Sequence, residues 1–183
     1  VYKRQWIRRS LTRNSAEGAN LPLGIPSGNS NQSQPPPPRP HDYCDDLSAS
    51  ISAAASPEQA FGSFRALAER LGFDRIAFVP VTPAAQEALG LSKLAPAICV
   101  NVPDEWLRRY MTERYAAYDP VLLRAPLQTE PLVWDDLLTD ERLSPKQRRM
   151  LLESREANLF NGVSIPLHGP RGETYVISLA AER

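Results

Sequence analysis

The segment Val163-Ser164-Ile165-Pro166-Leu167-His168-Gly169-Pro170-Arg171-Gly172-Glu173-Thr174-Tyr175-Val176-Ile177-Ser178-Leu179 decides the architecture. Two runs rich in β-branched residues, 163–167 and 173–179, flank a turn rich in Gly, the composition of a β-hairpin. A hairpin is antiparallel by construction, whereas parallel strands need a long crossover. Upstream, Ser144-Pro145-Lys146-Gln147 is a capping-box pattern that opens a helix to about residue 157. Pro103-Asp104-Glu105 starts another, expected to run to about residue 117 with Trp106, Tyr110 and Arg114 stacked at four-residue spacing. Asp119-Pro120 then breaks it and opens a short turn of helix through Leu123. Residues 75–81 and 97–100 read as strands, with room for a short helix over 83–91 between them. Before them, Ser56-Pro57-Glu58 caps a helix whose apolar residues, from Ala60 to Leu71, recur at helical spacing and whose stop is Gly72. The order is helix, strand, strand, helices, strand, strand. That is an α+β fold, an antiparallel sheet with helices over its faces.

Length and composition leave room for one domain and a tail in 183 residues. Residues 1–46 are expected to form a disordered, basic and Pro-rich tail, and 47–183 the folded domain. Residues 1–40 hold Lys3, Arg4, Arg8, Arg9, Arg13 and Arg39 against the single acid Glu17, and end in the run Pro35-Pro36-Pro37-Pro38-Arg39-Pro40. Such a segment buries too little apolar surface to offset the entropy of ordering. Over the whole chain 21 Lys and Arg balance 21 Asp and Glu, which does not single out nucleic acid as the partner. Cys44 and Cys99 are too few for a disulfide framework, and no apolar run suits a membrane span, so a cytoplasmic protein without a membrane partner is expected.

Signatures of catalysis are missing. Of the two histidines, His41 falls in the expected tail and His168 in a hairpin turn, neither is expected to hold a metal, and no nucleophile elbow or phosphate-cradling loop occurs. Asp135-Asp136 and Asp140-Glu141 read as solvated and capping acids rather than a metal cluster. The expectation is therefore no enzyme, no metal and no cofactor. The aromatic residues Trp106, Tyr110, Tyr115, Tyr118 and Trp134 are a different matter, crowded into one stretch of a chain only 8% aromatic. Taken singly, each suits a core. Together, beside the carboxylate of Asp119, they describe an apolar pocket with a few directed polar groups, the make-up of a small-molecule site.

Trp106-Leu-Arg-Arg-Tyr110, then Tyr118-Asp119-Pro120, then Pro131-Leu-Val-Trp134, then Asn161-Gly162-Val-Ser-Ile-Pro-Leu-His-Gly169 resembles the autoinducer-binding domain of LuxR-type quorum-sensing regulators. Leu71-Gly72-Phe73-Asp74-Arg75-Ile76 is similar to the segment that enters the first strand of that family, and the likeness covers about residues 57–182. The resemblance implies a sheet of about five antiparallel strands sandwiched by helices, with an N-acyl-homoserine lactone bound between the sheet and the helices. It further implies that Trp106 donates its indole N–H to the lactone carbonyl. Asp119 accepts from the ligand amide, Trp134 packs on the lactone ring, and Tyr110 lines the acyl channel. Ser178 bonds the amide carbonyl, and Ala77, Ile98, Val121, Tyr175 and Ile177 form the acyl wall. Gly162 and Pro120 are structural, Gly162 by letting backbone approach closely at the strand entrance. A homodimer in the full-length protein, and DNA contact only through a C-terminal helix-turn-helix, belong to the same implication.

The chain departs from the pattern at Val102, where some members carry a Tyr, and at Asn158-Leu159, where Gly-Leu is common. It begins with Val1 and stops at Arg183 without a DNA-reading element, the expectation for a fragment of a regulator. Rival readings are a stand-alone sensor module that heterodimerises with full-length regulators, a lactonase or amidase, and a sensor of another small apolar signal or chromophore.

Overall fold

The computed structural model describes residues 40–92, 94 and 96–181. The tail expected over 1–46 lies outside the described residues up to position 39, and its last part is helical instead. Helix α1, Pro40–Ser52, runs through the expected boundary. It packs on helix α2, Pro57–Arg70, where the Arg70 guanidinium carbon lies 5.2 Å from the centre of the Tyr43 ring. A helix this poor in apolar residues draws its stability from that packing, which local composition does not reveal.

Helix α2 begins as expected, with the Ser56 side chain accepting from the Gln59 N–H and Pro57 in the first turn. It ends in a left-handed Gly72 (φ 90°), with the N–H groups of Gly72 and Phe73 donating back to the carbonyls of Glu69 and Ala68. Strand β1 (Arg75–Pro80), helix α3 (Pro83–Ala88) and strand β2 (Ile98–Val100) follow. Helix α4 covers Asp104–Thr112 and is shorter than expected. Arg114 takes a left-handed conformation (φ 54°) and starts a single 3-10 turn, Tyr115–Ala117, so it does not continue the Trp106–Tyr110 face. The reversal folds Tyr115 back onto both rings, 5.6 Å from Trp106 and 5.7 Å from Tyr110. Aromatic packing there outweighs a left-handed residue, which costs roughly 1–2 kcal/mol.

Helix α5 (Pro120–Arg124), a 3-10 turn (Ala125–Leu127), the two-residue strand β3 (Leu132–Val133) and helix α6 (Trp134–Thr139) lead to helix α7, Pro145–Glu156. Its capping box is complete: Ser144 accepts from the Gln147 N–H while the Gln147 side chain accepts from the Ser144 N–H. Helix α7 closes like α2, with Asn158 (φ 61°) in place of the left-handed glycine and Leu159 N–H donating to the Ser154 carbonyl at 3.0 Å. Asn is among the few residues that tolerate this conformation, which accounts for the Asn158 departure.

Strands β4 (Phe160–His168) and β5 (Thr174–Ala181) form the expected hairpin, each longer than its β-branched run. The five strands are ordered β2-β1-β5-β4-β3 and every neighbouring pair is antiparallel. Ala68, Phe61 and Phe64 of α2 pack with Ile76, Val100 and Leu179 on one face of the sheet. Trp106, Tyr115, Val121, Met150 and Leu151 from α4 to α7 pack with Val79, Val176 and Ala180 on the other. The result is an α/β/α sandwich. Among the described residues no helix is long and apolar enough to cross a membrane. Replacing Ser144 with Ala should remove half of the capping box and cost about 1 kcal/mol in urea-induced unfolding, with an unchanged slope.

Candidate functional site

A cavity of about 100 Å³ lies between the second face of the sheet and helices α4, α5 and α7. Its wall is almost wholly apolar, with Val79, Met111, Met150, Leu151, Leu159 and Ala180 contributing to it. Into this wall the fold sets Trp106, Tyr110, Asp119, Trp134 and Ser178, five of the residues expected there, together with Ala77 and Val121. Val102 also lines it.

Asp119 reaches the cavity because it caps helix α5. Its Oδ1 accepts from the Val121 N–H at 2.8 Å, and Pro120, fully buried behind it, supplies the first helical position. Its Oδ2 accepts from the Tyr110 hydroxyl at 2.6 Å. Tyr110 is thus more than a wall residue: it holds the carboxylate in place. Asp119 is buried, and among the described residues it forms no ion pair. Burial raises its pKa above the ordinary 3.8, against the opposing hydrogen bonds from Tyr110 and from the backbone at Val121 and Leu122. The two donors at hydrogen-bond distance, the Tyr110 hydroxyl and the Val121 N–H, do not fill the roughly four acceptor positions of a carboxylate. Burial, and then the charge of Asp119, push the Tyr110 phenol well above its usual range, so it stays a donor.

Trp106 is 7% exposed, stands edge-on to Tyr110 with ring centres 5.9 Å apart, and its indole N–H has no hydrogen-bond partner among the described residues. Trp134 differs. Its indole N–H donates to Ser164 Oγ at 2.9 Å, turned into the wall rather than toward the cavity. Ser164 Oγ lies 2.8 Å from Ser178 Oγ, and Ser178 is the member of the pair that lines the cavity. Gly162 is structural, though by a different contact from the one expected. A Cβ there would meet Cδ2 and Cε3 of the Trp134 ring at 2.0 Å, so the glycine admits an indole, not backbone.

Ile98, Tyr175 and Ile177 do not line this cavity, contrary to expectation. Side chains alternate along a strand, so a β5 face that presents Val176, Ser178 and Ala180 must turn Tyr175 and Ile177 the other way. Ile177 is paired with Phe78, and Phe78 with Ile98, so all three share the opposite face. There Ile98 and Ile177 pack under α2, and Tyr175 stacks on Phe78 with ring centres 5.3 Å apart. Conversely, Met150, Leu151 and Ser154 line the cavity beyond the expected residues, and their i, i+1, i+4 spacing on α7 marks one helical face.

A second polar group braces the site from outside. The Tyr115 hydroxyl donates to Glu153 of α7, which also receives Arg149 Nε at 2.5 Å and faces Arg109 at 3.8 Å. Burial pushes the Glu153 carboxyl up, but the Tyr115 hydrogen bond and the two arginines outweigh it and hold the group below its ordinary range. Among the described residues no group of His, Cys, Asp and Glu is arranged to hold a metal. Asp140 instead pairs with Arg124 at 2.6 Å and Arg142 at 3.0 Å. Burial pushes the Cys99 thiol up to about 11, so it is protonated at neutral pH and poorly nucleophilic.

Residues 56–183 match the family model described as the autoinducer binding domain. The chain belongs to this family. Autoinducer-binding domains are the sensor part of LuxR-type quorum-sensing transcriptional regulators, a family of regulators rather than enzymes. Among curated proteins the chain is similar to a putative HTH-type transcriptional regulator, y4qH, of Sinorhizobium fredii, 30% identical over 126 residues. That match covers 69% of this chain and 38% of the relative. It is also similar to the HTH-type quorum-sensing regulator RhlR of Pseudomonas aeruginosa, 29% identical, with 77% of this chain and 54% of the relative covered. The chain thus spans roughly a third to a half of the length of these relatives. Its fold matches the N-acylhomoserine lactone dependent LuxR family factor CepR2 of Burkholderia cenocepacia with a TM-score of 0.59 at 22% identity, covering 78% of this chain and 79% of the other. SdiA of Escherichia coli matches with a TM-score of 0.60 at 18% identity, covering 78% and 56%.

Two outcomes follow for this autoinducer-binding domain. Gly162→Ala should force the Trp134 ring out of its seat, destabilise the domain by about 1–3 kcal/mol as an overpacked site does, and shift the Trp fluorescence; an unchanged melt and spectrum would contradict the packing. Asp119, with its folded pKa raised above 3.8, holds an extra proton in the folded state, so its contribution to stability falls as pH rises through that window. The stability of Asp119→Asn relative to the parent, which removes this titration, should therefore move in favour of the variant as the pH rises above the ordinary carboxylate value of 3.8.

Proposed function

We propose that the domain binds an N-acyl-homoserine lactone in the cavity, as the sensor part of a quorum-sensing transcriptional regulator. The observation that carries this reading is Asp119, a buried carboxylate that among the described residues accepts from the neutral donors Tyr110 and Val121, in a wall that is mostly apolar. Such a group is matched by a ligand that brings a neutral N–H to a dry place, where a charge-assisted bond is strong. The amide N–H of the ligand donates to Asp119, and the amide carbonyl accepts from Ser178. The free indole N–H of Trp106 donates to the lactone carbonyl, and the Trp134 ring packs on the lactone. Ala77, Val121 and the α7 residues take the acyl chain. Tyr110 serves by orienting Asp119. No nucleophile–base pair takes part, and the ligand leaves unchanged.

In this reading the chain is one part of a cytoplasmic regulator whose dimerisation and DNA contact lie in the full-length protein. A different acyl signal is the second reading, since one solved structure of the same fold is that of SdiA in complex with octanoyl-rac-glycerol. An acylglycerol offers Asp119 a hydroxyl rather than an N–H.

Protein made in a lactone-producing host should yield an intact acyl-homoserine lactone on extraction and mass spectrometry; recovery of an acylglycerol would decide for the second reading. Asp119→Asn should weaken lactone binding by about tenfold or more, the value of a hydrogen bond to a charged group. An Asp119 variant that binds as tightly as the parent would remove the residue from the site.

A further inference from the structure

We propose that Ser164, which does not itself line the cavity, is a positioning residue that decides which atom Ser178 offers to a bound ligand. Trp134 Nε1, Ser164 Oγ and Ser178 Oγ form a series with separations of 2.9 and 2.8 Å. Distance leaves the proton order of the two serines open, and burial fixes it. Ser164 is 0% exposed, and among the described residues its hydroxyl meets only Trp134 and Ser178. An indole N–H can only donate, so the Ser164 oxygen accepts from Trp134. The Ser164 proton then has one acceptor in reach, Ser178 Oγ. The reverse order would strand that proton in a dry interior, a condition native structures avoid.

The chain therefore runs from the Trp134 N–H through the Ser164 O–H to Ser178, and the Ser178 proton is left for the cavity. A hydroxyl that already accepts is polarised into a better donor. The geometry that holds the series is built into the strands. Ser164 and Ser178 are direct partners across β4 and β5, and the bare face of Gly162 seats the Trp134 ring whose N–H starts it. The sheet thus supplies a donor while helix α5 supplies the acceptor, Asp119. The site selects a ligand with an oxygen acceptor opposite Ser178, and Ser164 sets that selection without touching the ligand.

The ligand side of this inference rests on the lactone reading; the hydrogen-bond series does not. With N-octanoyl-homoserine lactone as the probe, Ser164→Ala and Ser178→Ala should each weaken binding about tenfold, and the double variant no further than either alone. A double variant about a hundredfold weaker, or a Ser164→Ala protein that binds like the parent, overturns the proposal. Ser164→Thr and Ser164→Val have the same size and separate the hydroxyl from packing: Thr should bind about tenfold tighter than Val, and equal affinities overturn it.

In the ligand-free protein the Trp134 indole N–H resonance should move upfield in Ser164→Ala and Ser164→Val and stay near the parent in Ser164→Thr. A resonance unmoved by Val at 164 overturns the series whatever the lactone does. A parent that binds no lactone yet shows this shift overturns the ligand reading alone and supports the series.

Discussion

A buried carboxylate that forms no ion pair among the described residues sits at the hinge of this fold. Asp119 ends the aromatic turn, starts helix α5 and faces the cavity, and all three roles depend on donors that hold it without neutralising it. A buried charge of this kind is tolerable only when well hydrogen-bonded. Tyr110 must therefore lie over it, which requires α4 to stop at Thr112 and the chain to reverse at Arg114. The reversal brings Tyr115 to Glu153 and so ties the aromatic turn to α7. Helices α4, α5 and α7 around the cavity are thereby fastened to that carboxylate or to Glu153.

Much of this was readable from local sequence. Caps are local chemistry, so Ser56, Gly72, Ser144 with Gln147, and Asp119-Pro120 mark helix ends that the structure repeats. The hairpin and the antiparallel sheet follow from a short glycine-rich turn between β-branched runs. What could not be read depends on partners distant in sequence. Helix α1 and strand β3 exist through packing and pairing rather than propensity. The end of α4 is set by rings that meet only after the chain has turned.

The acyl wall shows a different kind of miss. The resemblance puts Ser178, Tyr175 and Ile177 in one site, whereas strand alternation forbids all three on one face. The period of two is present in the sequence, and family likeness and apolar character point away from it. Applied consistently, it would have put Val176 and Ala180 beside Ser178 and would have matched Ser164 to them across the hairpin. Ser164 carries no signal in the sequence, because a serine in a strand gains its meaning from its cross-strand partner.

The cavity has a consequence for the amount of protein as well as for recognition. A ligand that fills it binds the folded chain and not the unfolded one, and at a hundred times its dissociation constant adds about 2.7 kcal/mol of stability. For a domain of ordinary marginal stability, that shift changes the fraction exposed to proteolysis by about a hundredfold. On the proposed reading, ligand concentration is recorded twice: at once as occupancy, and later as the abundance of a domain that survives because it is full.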